Sequence, residues 1–336
     1  MKPATRMLTT AAIVFGAVAT HAQTPPASQA TISGYVSEAE RLAGSDLKAW
    51  LALCKPAPAV RPAQELVDKL IASQIARAAP EPGRAFDNLY FVGSAWVSAW
   101  AIRTSQGIIL IDALNNGPEA ERLIDGGMRK LGLDPAEIRY VIVTHAHGDH
   151  YGGVEYLVPR YRSGIVASEV DWRQLEGKLE FNSPHWGPPP KYDAARDSRV
   201  KDGDKVTLGD AAVTVHITPG HTLGTITPTF EVKHAGRTHK VLLWGGTAFN
   251  FGNDVPRLQG YIDATERMAK IAREQGIDVL LSNHPANDGT VEHLGALRKD
   301  GAASNPFVIG TDAVVRGLGV MGACAKAQRD RYILEK

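Results

Sequence analysis

The segment Thr144-His145-Ala146-His147-Gly148-Asp149-His150 places three histidines and an aspartate within six residues, directly after the apolar run Val141-Ile142-Val143. Buried imidazoles and carboxylates need partners, and this many side by side would leave several unpaired unless a cation coordinates them. In an extended or loosely turned segment side-chain direction repeats every two residues, so His145 and His147 reach one ion from the same side. Zinc accepts imidazole nitrogen at about 2.0 Å. Gly148 has a permissive backbone and can redirect the chain so that Asp149 and His150 face a second ion. Asp149 is then also the candidate catalytic group, able to bind metal and to orient the attacking nucleophile.

More ligands must come from elsewhere. His221 in "TPGHTLG" and His284 in "LLSNHPAND" each follow a predicted strand, in a loop with Gly or Pro where a side chain can face a cleft. With these two, six candidate donors converge on strand ends. His185 is therefore not expected to be a ligand, and His216, His234, His239 and His293 read as structural or solvent-facing. A nitrogen-rich pair of sites favours zinc over iron or manganese.

The elements that must position these groups follow from periodicity. Two early segments, 37–54 and 62–78, repeat apolar residues at three- and four-residue steps and read as helices covering the outside of the core. From Asn88 the runs "NLYFVG", "WVSAWAIRT" and "GIILIDAL" read as adjacent antiparallel strands. A helix over 118–132, the strand "IRYVIVT", the histidine loop and a helix opened by "YGGVEYLV" come next, so the histidines sit at the carboxyl end of a strand, where ligand sites concentrate. A second β-rich half over 205–246, a helix over 263–275, the strand "IDVLLSNHP" and a terminal helix over 311–332 imply a helix, sheet, sheet, helix order. "EFNSPHWGPPPKYD" reads as a stiff loop walling one side of a pocket. Trp96 and Trp100 read either as core aromatics or as including one flap over the cleft, with Trp96, nearer the glycine turn, the better flap candidate.

Composition bounds the rest. The 336 residues are 44% hydrophobic and 22% charged with net charge +1, which gives no electrostatic reason to expect nucleic acid as partner. The length suffices for a large core without a structural metal. The basic start "MKPATR", the apolar "MLTTAAIVFGAVA" and the small residues of "THAQ" read as a signal peptide over residues 1–22, too short to span a bilayer. Residues 23–35 read as a disordered lead-in, and 36–336 as one domain with an N-terminal helical extension. Cys54 and Cys324 fit either a disulfide in an oxidising compartment or two separate buried thiols.

The string "THAHGDH" followed by "TPGHT" resembles the metallo-β-lactamase superfamily, whose His-x-His-x-Asp-His motif is highly specific, and the order of motifs continues through "SNHP". The resemblance runs from about Asn88 to near Phe307. It implies an α/β fold, the αββα sandwich of two mixed β-sheets flanked by helices, with the metal site at one open edge. It also implies two Zn2+ per chain, one on His145, His147 and His221 and one on Asp149, His150 and His284. Asp112 in "IILIDAL" would hold the metal-binding loop through hydrogen bonds, although it also reads as a strand-end turn residue. Many members carry a bridging aspartate near the stretch that here reads "VLLWGGTAFN". This stretch has no Asp, Glu or Cys, so hydroxide would be the only bridge, which is similar to the third (B3-like) subclass. "NLYFVG", "KDGDKVTLGD" and "DGAASNPFV" look like that subclass too. That subclass usually places serines in the "GGTAFN" stretch to hold a β-lactam carboxylate; here the polar candidates are Thr247 and Asn250.

The function so implied is an exported di-zinc hydrolase, periplasmic or secreted, in which a metal-bridging hydroxide attacks a carbonyl and opens a β-lactam ring. The alternative is a related metal-dependent hydrolase of a lactone, ester or other small carbonyl compound. A metal-binding protein without catalysis fits six ligands poorly, because a structural zinc site is normally closed by four. The expected partners are a small-molecule substrate, no nucleic acid, no stable membrane association once the leader is removed, and no second subunit.

Overall fold

The computed structural model describes residues 26–300 and 304–335, so the signal-peptide reading of residues 1–22 lies outside the described residues. Two sheets stack face to face. The first has seven strands in sequential order: β1 (Gly83–Phe86), β2 (Leu89–Phe91), β3 (Trp100–Thr104), β4 (Gly107–Ile111), β5 (Ile138–Ile142), β6 (Gly164–Ser168) and β7 (Ser198–Val200). β1 to β4 pair antiparallel, and β4 to β7 pair parallel through helical crossovers. The second has β8 (Lys205–Leu208), β9 (Ala211–Ile217), β10 (Ile226–His234), β11 (Arg237–Trp244) and β12 (Val279–Ser282), in the order β12-β11-β10-β9-β8. Only β11 and β12 run parallel in it.

The period-2 alternation of strands assigns each side chain to a layer. In β4, Ile109 and Ile111 face the second sheet, whereas Ile108 and Leu110 join the cluster under the helices outside the first. In β11, Val241 and Leu243 face the first sheet while Leu242 and Trp244 lie under the outer helices. These strands are apolar on both faces because both are covered, each buried side chain contributing about 1.5–3 kcal/mol. Helices Val255–Gln275 and Thr311–Leu334 cover the second sheet, and Val154–Tyr161 and Glu169–Glu176 cover the first. The expected αββα sandwich is thus the observed layering.

Three local expectations are corrected. Residues 29–35 of the expected disordered lead-in are helical, the first turns of helix Gln29–Ala43. Ser28 caps that helix, its Oγ accepting the Thr31 N–H at 3.1 Å while Thr31 Oγ1 accepts the Ser28 N–H at 2.9 Å. Ile32, Ala39 and Ala43 are buried, and the Thr31 hydroxyl donates to Asp330 on the terminal helix. The strand read over "WVSAWAIRT" begins only at Trp100, because Ser94 Oγ turns the chain by accepting the N–H groups of Trp96 and Val97. The helix read from 37 to 54 is two pieces, separated at Gly44. Cys54 and Cys324 are disulfide-bonded, with Cα atoms 4.4 Å apart, which ties a short helix, Lys48–Cys54, to the terminal helix.

Candidate metal centre

One edge of the sandwich collects the carboxyl ends of β4, β5, β6, β11 and β12 together with the β9–β10 connection. Asp112 follows β4 with φ at 63°, in the left-handed region that costs a non-glycine residue of order 1–3 kcal/mol. That conformation aims its carboxylate at the next loop. It accepts the Thr144 N–H at 2.8 Å, the Thr144 hydroxyl at 2.9 Å and the Nδ1–H of His150 at 2.8 Å. Asp112 thus makes direct hydrogen-bond contact with His150, a candidate ligand.

His145 leaves the end of β5 and donates Nδ1–H to the Gly245 carbonyl at 2.8 Å. A Cβ on Gly245 would overlap the Ile226 carbonyl, so only glycine lets β11's end approach this closely. Asn283 Nδ2 donates to the same carbonyl at 2.6 Å. His221 donates Nδ1–H to the Ala248 carbonyl at 2.7 Å, and His284 donates Nδ1–H to the Trp96 carbonyl at 2.7 Å. Carbonyl oxygens only accept, so each of these three rings carries its proton on Nδ1 and turns an Nε2 lone pair inward.

The consequence is unfavourable without a cation. His145 Nε2 and His221 Nε2 lie 3.1 Å apart with lone pairs facing each other. Burial pushes both imidazoles well below their ordinary pKa, with the neighbouring histidines adding to it, so protonation does not relieve the repulsion. Burial likewise lowers His284. The Nε2 atoms of His147 and His150 are buried with no hydrogen-bond partner. A metal ion satisfies all of these at once, so the residues fit the group that the sequence implied.

Two sets of donor atoms lie within 4.8 Å of one another, His145 with His147 and His221, and His145 with Asp149 and His150. Asp149 Oδ2 is 3.3 Å from His150 Nε2 and 3.8 Å from His284 Nε2. Five of the six side chains named from the sequence fall in these sets; the second set holds His145 in the place expected for His284, which reaches the cluster through Asp149. Burial alone would raise the Asp149 carboxyl, but His150 reverses this and holds it well below the usual carboxylate range. Burial alone would lower His150; the charges of Asp149 and Asp112 reverse that and push it up to about 10.

The remaining named residues are placed differently. Trp96 is half-buried, its ring 5.9 Å from the His284 ring, and its carbonyl is what orients His284. Trp100 is fully buried core. Thr247 is buried, with its carbonyl accepting the Tyr261 hydroxyl, and Asn250 is solvent-exposed. His216 bonds Thr229 and His239 bonds Asp278, away from the cluster.

Sequence reasoning missed three groups. Asp171, at the start of helix Glu169–Glu176, accepts the Ala146 N–H and the Thr222 hydroxyl, tying the loops of His147 and His221 together. Glu180 lies in the irregular 177–197 segment with Oε2 3.9 Å from His147 Nε2, and Phe181 stacks edge-on against His147 at 4.9 Å. Arg257 binds Glu180 through both Nη atoms at 2.6 and 2.8 Å. None carries a local motif; the only signal was that "EFNSPHWG" reads as a pocket wall.

Comparison with known proteins bears on the same site. A family described as the metallo-β-lactamase superfamily matches residues 97–235, which include His145, His147, Asp149, His150 and His221. The chain is similar to the crystal structure of a subclass B3 metallo-β-lactamase of Bradyrhizobium japonicum, with 34% identity and a TM-score of 0.58 over 71% of this chain and 90% of that one. It is also similar to a β-lactamase from Chitinophaga pinensis, with 25% identity and a TM-score of 0.60 over 76% and 95% of the two chains. Among curated proteins, a hydroxyacylglutathione hydrolase of Cupriavidus metallidurans is 30% identical over 51% of this chain and 53% of its own length. The chain spans about half the length or less of the curated relatives it matches.

Proposed function

The chain belongs to the metallo-β-lactamase superfamily and is similar to its subclass B3, and from that premise we propose that it is an exported di-zinc hydrolase that opens a β-lactam ring. The observation that carries this reading is the pair of inward Nε2 lone pairs on His145 and His221, 3.1 Å apart, which call for a cation. In this reading His145, His147 and His221 hold one ion and Asp149, His150 and His284 hold the other. When bound, the two zinc ions supply Lewis-acid polarisation of a carbonyl and a nucleophile at neutral pH.

The chain's own residues supply the rest. Asp112, Gly245, Ala248 and Trp96 hold four imidazole rings by Nδ1, so the Nε2 atoms are fixed before substrate arrives. Asp149 would help hold the second ion and orient the attacking hydroxide through its carboxylate. The C–N bond would break, the proton of the attacking hydroxide would end on the departing nitrogen, and the product would be a ring-opened acid. The Cys54–Cys324 disulfide supports residence in an oxidising compartment, periplasmic or secreted. We read 36–336 as one domain acting as a monomer on a small molecule.

A second reading, hydrolysis of a lactone, ester or thioester, is favoured by the burial of Thr247 and by the similarity to a hydroxyacylglutathione hydrolase. Turnover of penicillins, cephalosporins, carbapenems, lactones and thioesters, with zinc content measured on the same sample, separates the two. Lactone or thioester turnover with every β-lactam left intact would overturn the first reading. Two bound zinc ions without hydrolysis of any of them would overturn both.

A further inference from the structure

We propose that Arg61 and Arg257 form a carboxylate-binding subsite beside the metal centre, which the chain's own Glu180 fills until a substrate carboxylate takes its place. The inference rests on the hydrolase reading only for the identity of that substrate. Its basis is the geometry of three charged side chains.

Glu180 accepts from both Nη atoms of Arg257 at 2.6 and 2.8 Å and from Arg61 Nη2, while Arg61 Nη1 donates to the Glu180 carbonyl at 3.0 Å. A planar guanidinium fork in this geometry recognises a carboxylate as such, whichever molecule carries it. The fork is fixed independently of its occupant. Arg257 lies in the first turn of helix Val255–Gln275, donates to the carbonyls of Gly220 and His221, and stacks on Phe251 at 4.3 Å. Its side chain is 9% exposed, so an empty fork would be a buried, unpaired charge.

The occupant is held less firmly. Glu180 sits in 177–197, which has no helix or strand, and Arg61 sits in the irregular stretch before helix Gln64–Ile75 with its side chain 37% exposed. Two guanidinium groups face one carboxylate, leaving a surplus positive charge on the three side chains. A neutral ligand cannot displace Glu180, because it would leave Arg257 unpaired; another carboxylate can. Glu180 Oε2 is 3.9 Å from His147 Nε2, and neighbouring Phe181 covers the His147 ring. Exchange of carboxylates and uncovering of His147 are therefore one movement.

The test uses the full chain stripped of metal by a chelator, so that its result does not depend on turnover. Benzoate, with benzamide as the neutral control, is titrated calorimetrically into wild type, Glu180→Ala, Glu180→Gln and the double variant Arg61→Ala with Glu180→Ala. Glu180→Ala is expected to bind benzoate at least about tenfold more tightly than wild type, benzamide no more tightly, and the double variant to lose most of the gain. A natively melting Glu180→Ala that gains nothing overturns the proposal. So does a gain that persists in full in the double variant, which would leave Arg61 with no part in the subsite. Should Glu180→Ala not fold, the nearly isosteric Glu180→Gln is expected to gain about threefold, and no gain there overturns the proposal equally. Loss of the β-lactamase reading in turnover assays would leave this binding result standing.

Discussion

The Thr222 hydroxyl donates to Asp171 Oδ2 at 2.8 Å, and the same oxygen accepts the Ala146 N–H at 2.9 Å, so one carboxylate joins the chain beside His221 to the chain between His145 and His147. Burial pushes the Asp171 carboxyl up, and the Thr222 and Ala146 donors oppose it. We predict that Asp171→Ala weakens zinc binding by about 10- to 100-fold, the range for removing a group that orients ligands. Competition against a chromophoric chelator measures this. Unchanged affinity in a folded variant would show that the two loops hold their places without Asp171.

His284 provides a test of the second ion. Its Nδ1–H is tied to the Trp96 carbonyl, and its Nε2 lies 3.8 Å from Asp149 Oδ2. His284→Ala is predicted to fall from two zinc equivalents to one after dialysis, with hydrolysis reduced by about 100-fold or more. Elemental analysis of the dialysed variant decides it. Retention of two tightly held ions would remove His284 from the ligand set.

Asp288 makes stability depend on pH. It accepts the Ser282 N–H at 2.6 Å, the Thr290 N–H at 2.9 Å and the Thr290 hydroxyl at 2.6 Å, yet its burial outweighs these donors and pushes the carboxyl up to about 7. An acid whose pKa is raised by folding binds more protons in the native state, so its contribution is fully present below the unfolded value of 3.8 and is lost as pH rises to about 7. Urea unfolding of metal-free wild type and Asp288→Asn between pH 4 and 8 should show wild type losing stability relative to the variant up to about pH 7, then running parallel. Parallel curves throughout would count against a neutral Asp288.

Gly148 meets the Trp186 ring so closely that an added Cβ would overlap it. The ring is pinned in turn, its Nε1–H donating to Asn115 Oδ1 at 3.0 Å. Gly148→Ala is therefore predicted to cost about 1–3 kcal/mol and to displace the 177–197 wall. The shift should appear as altered tryptophan fluorescence and a lower denaturation midpoint. A variant as stable as wild type with unchanged emission would mean that the wall moves aside without cost.

Much of this was legible along the chain because it is local. His145, His147, Asp149 and His150 all lie within six residues at one strand end, and the apolar β-formers of β4 and β5 mark the strands that lead to the site. The serine and threonine of the Ser28–Thr31 cap were equally present in the sequence, but the proline- and alanine-rich context read as disorder, and helix Gln29–Ala43 forms because helix Thr311–Leu334 gives it a surface to bury.

By itself, then, the sequence determined which groups carry lone pairs and which strand ends present them. Tertiary structure decided the rest: that Cys54 meets Cys324, that carbonyls of Gly245, Ala248 and Trp96 set the tautomers of His145, His221 and His284, and that Asp171, Glu180 and Arg257 stand beside the histidines. The physical reason is that periodicity encodes how a segment faces, whereas the partner of a side chain is fixed by sheet order and crossover. Those bring together residues up to 299 positions apart with no trace in the local pattern of either.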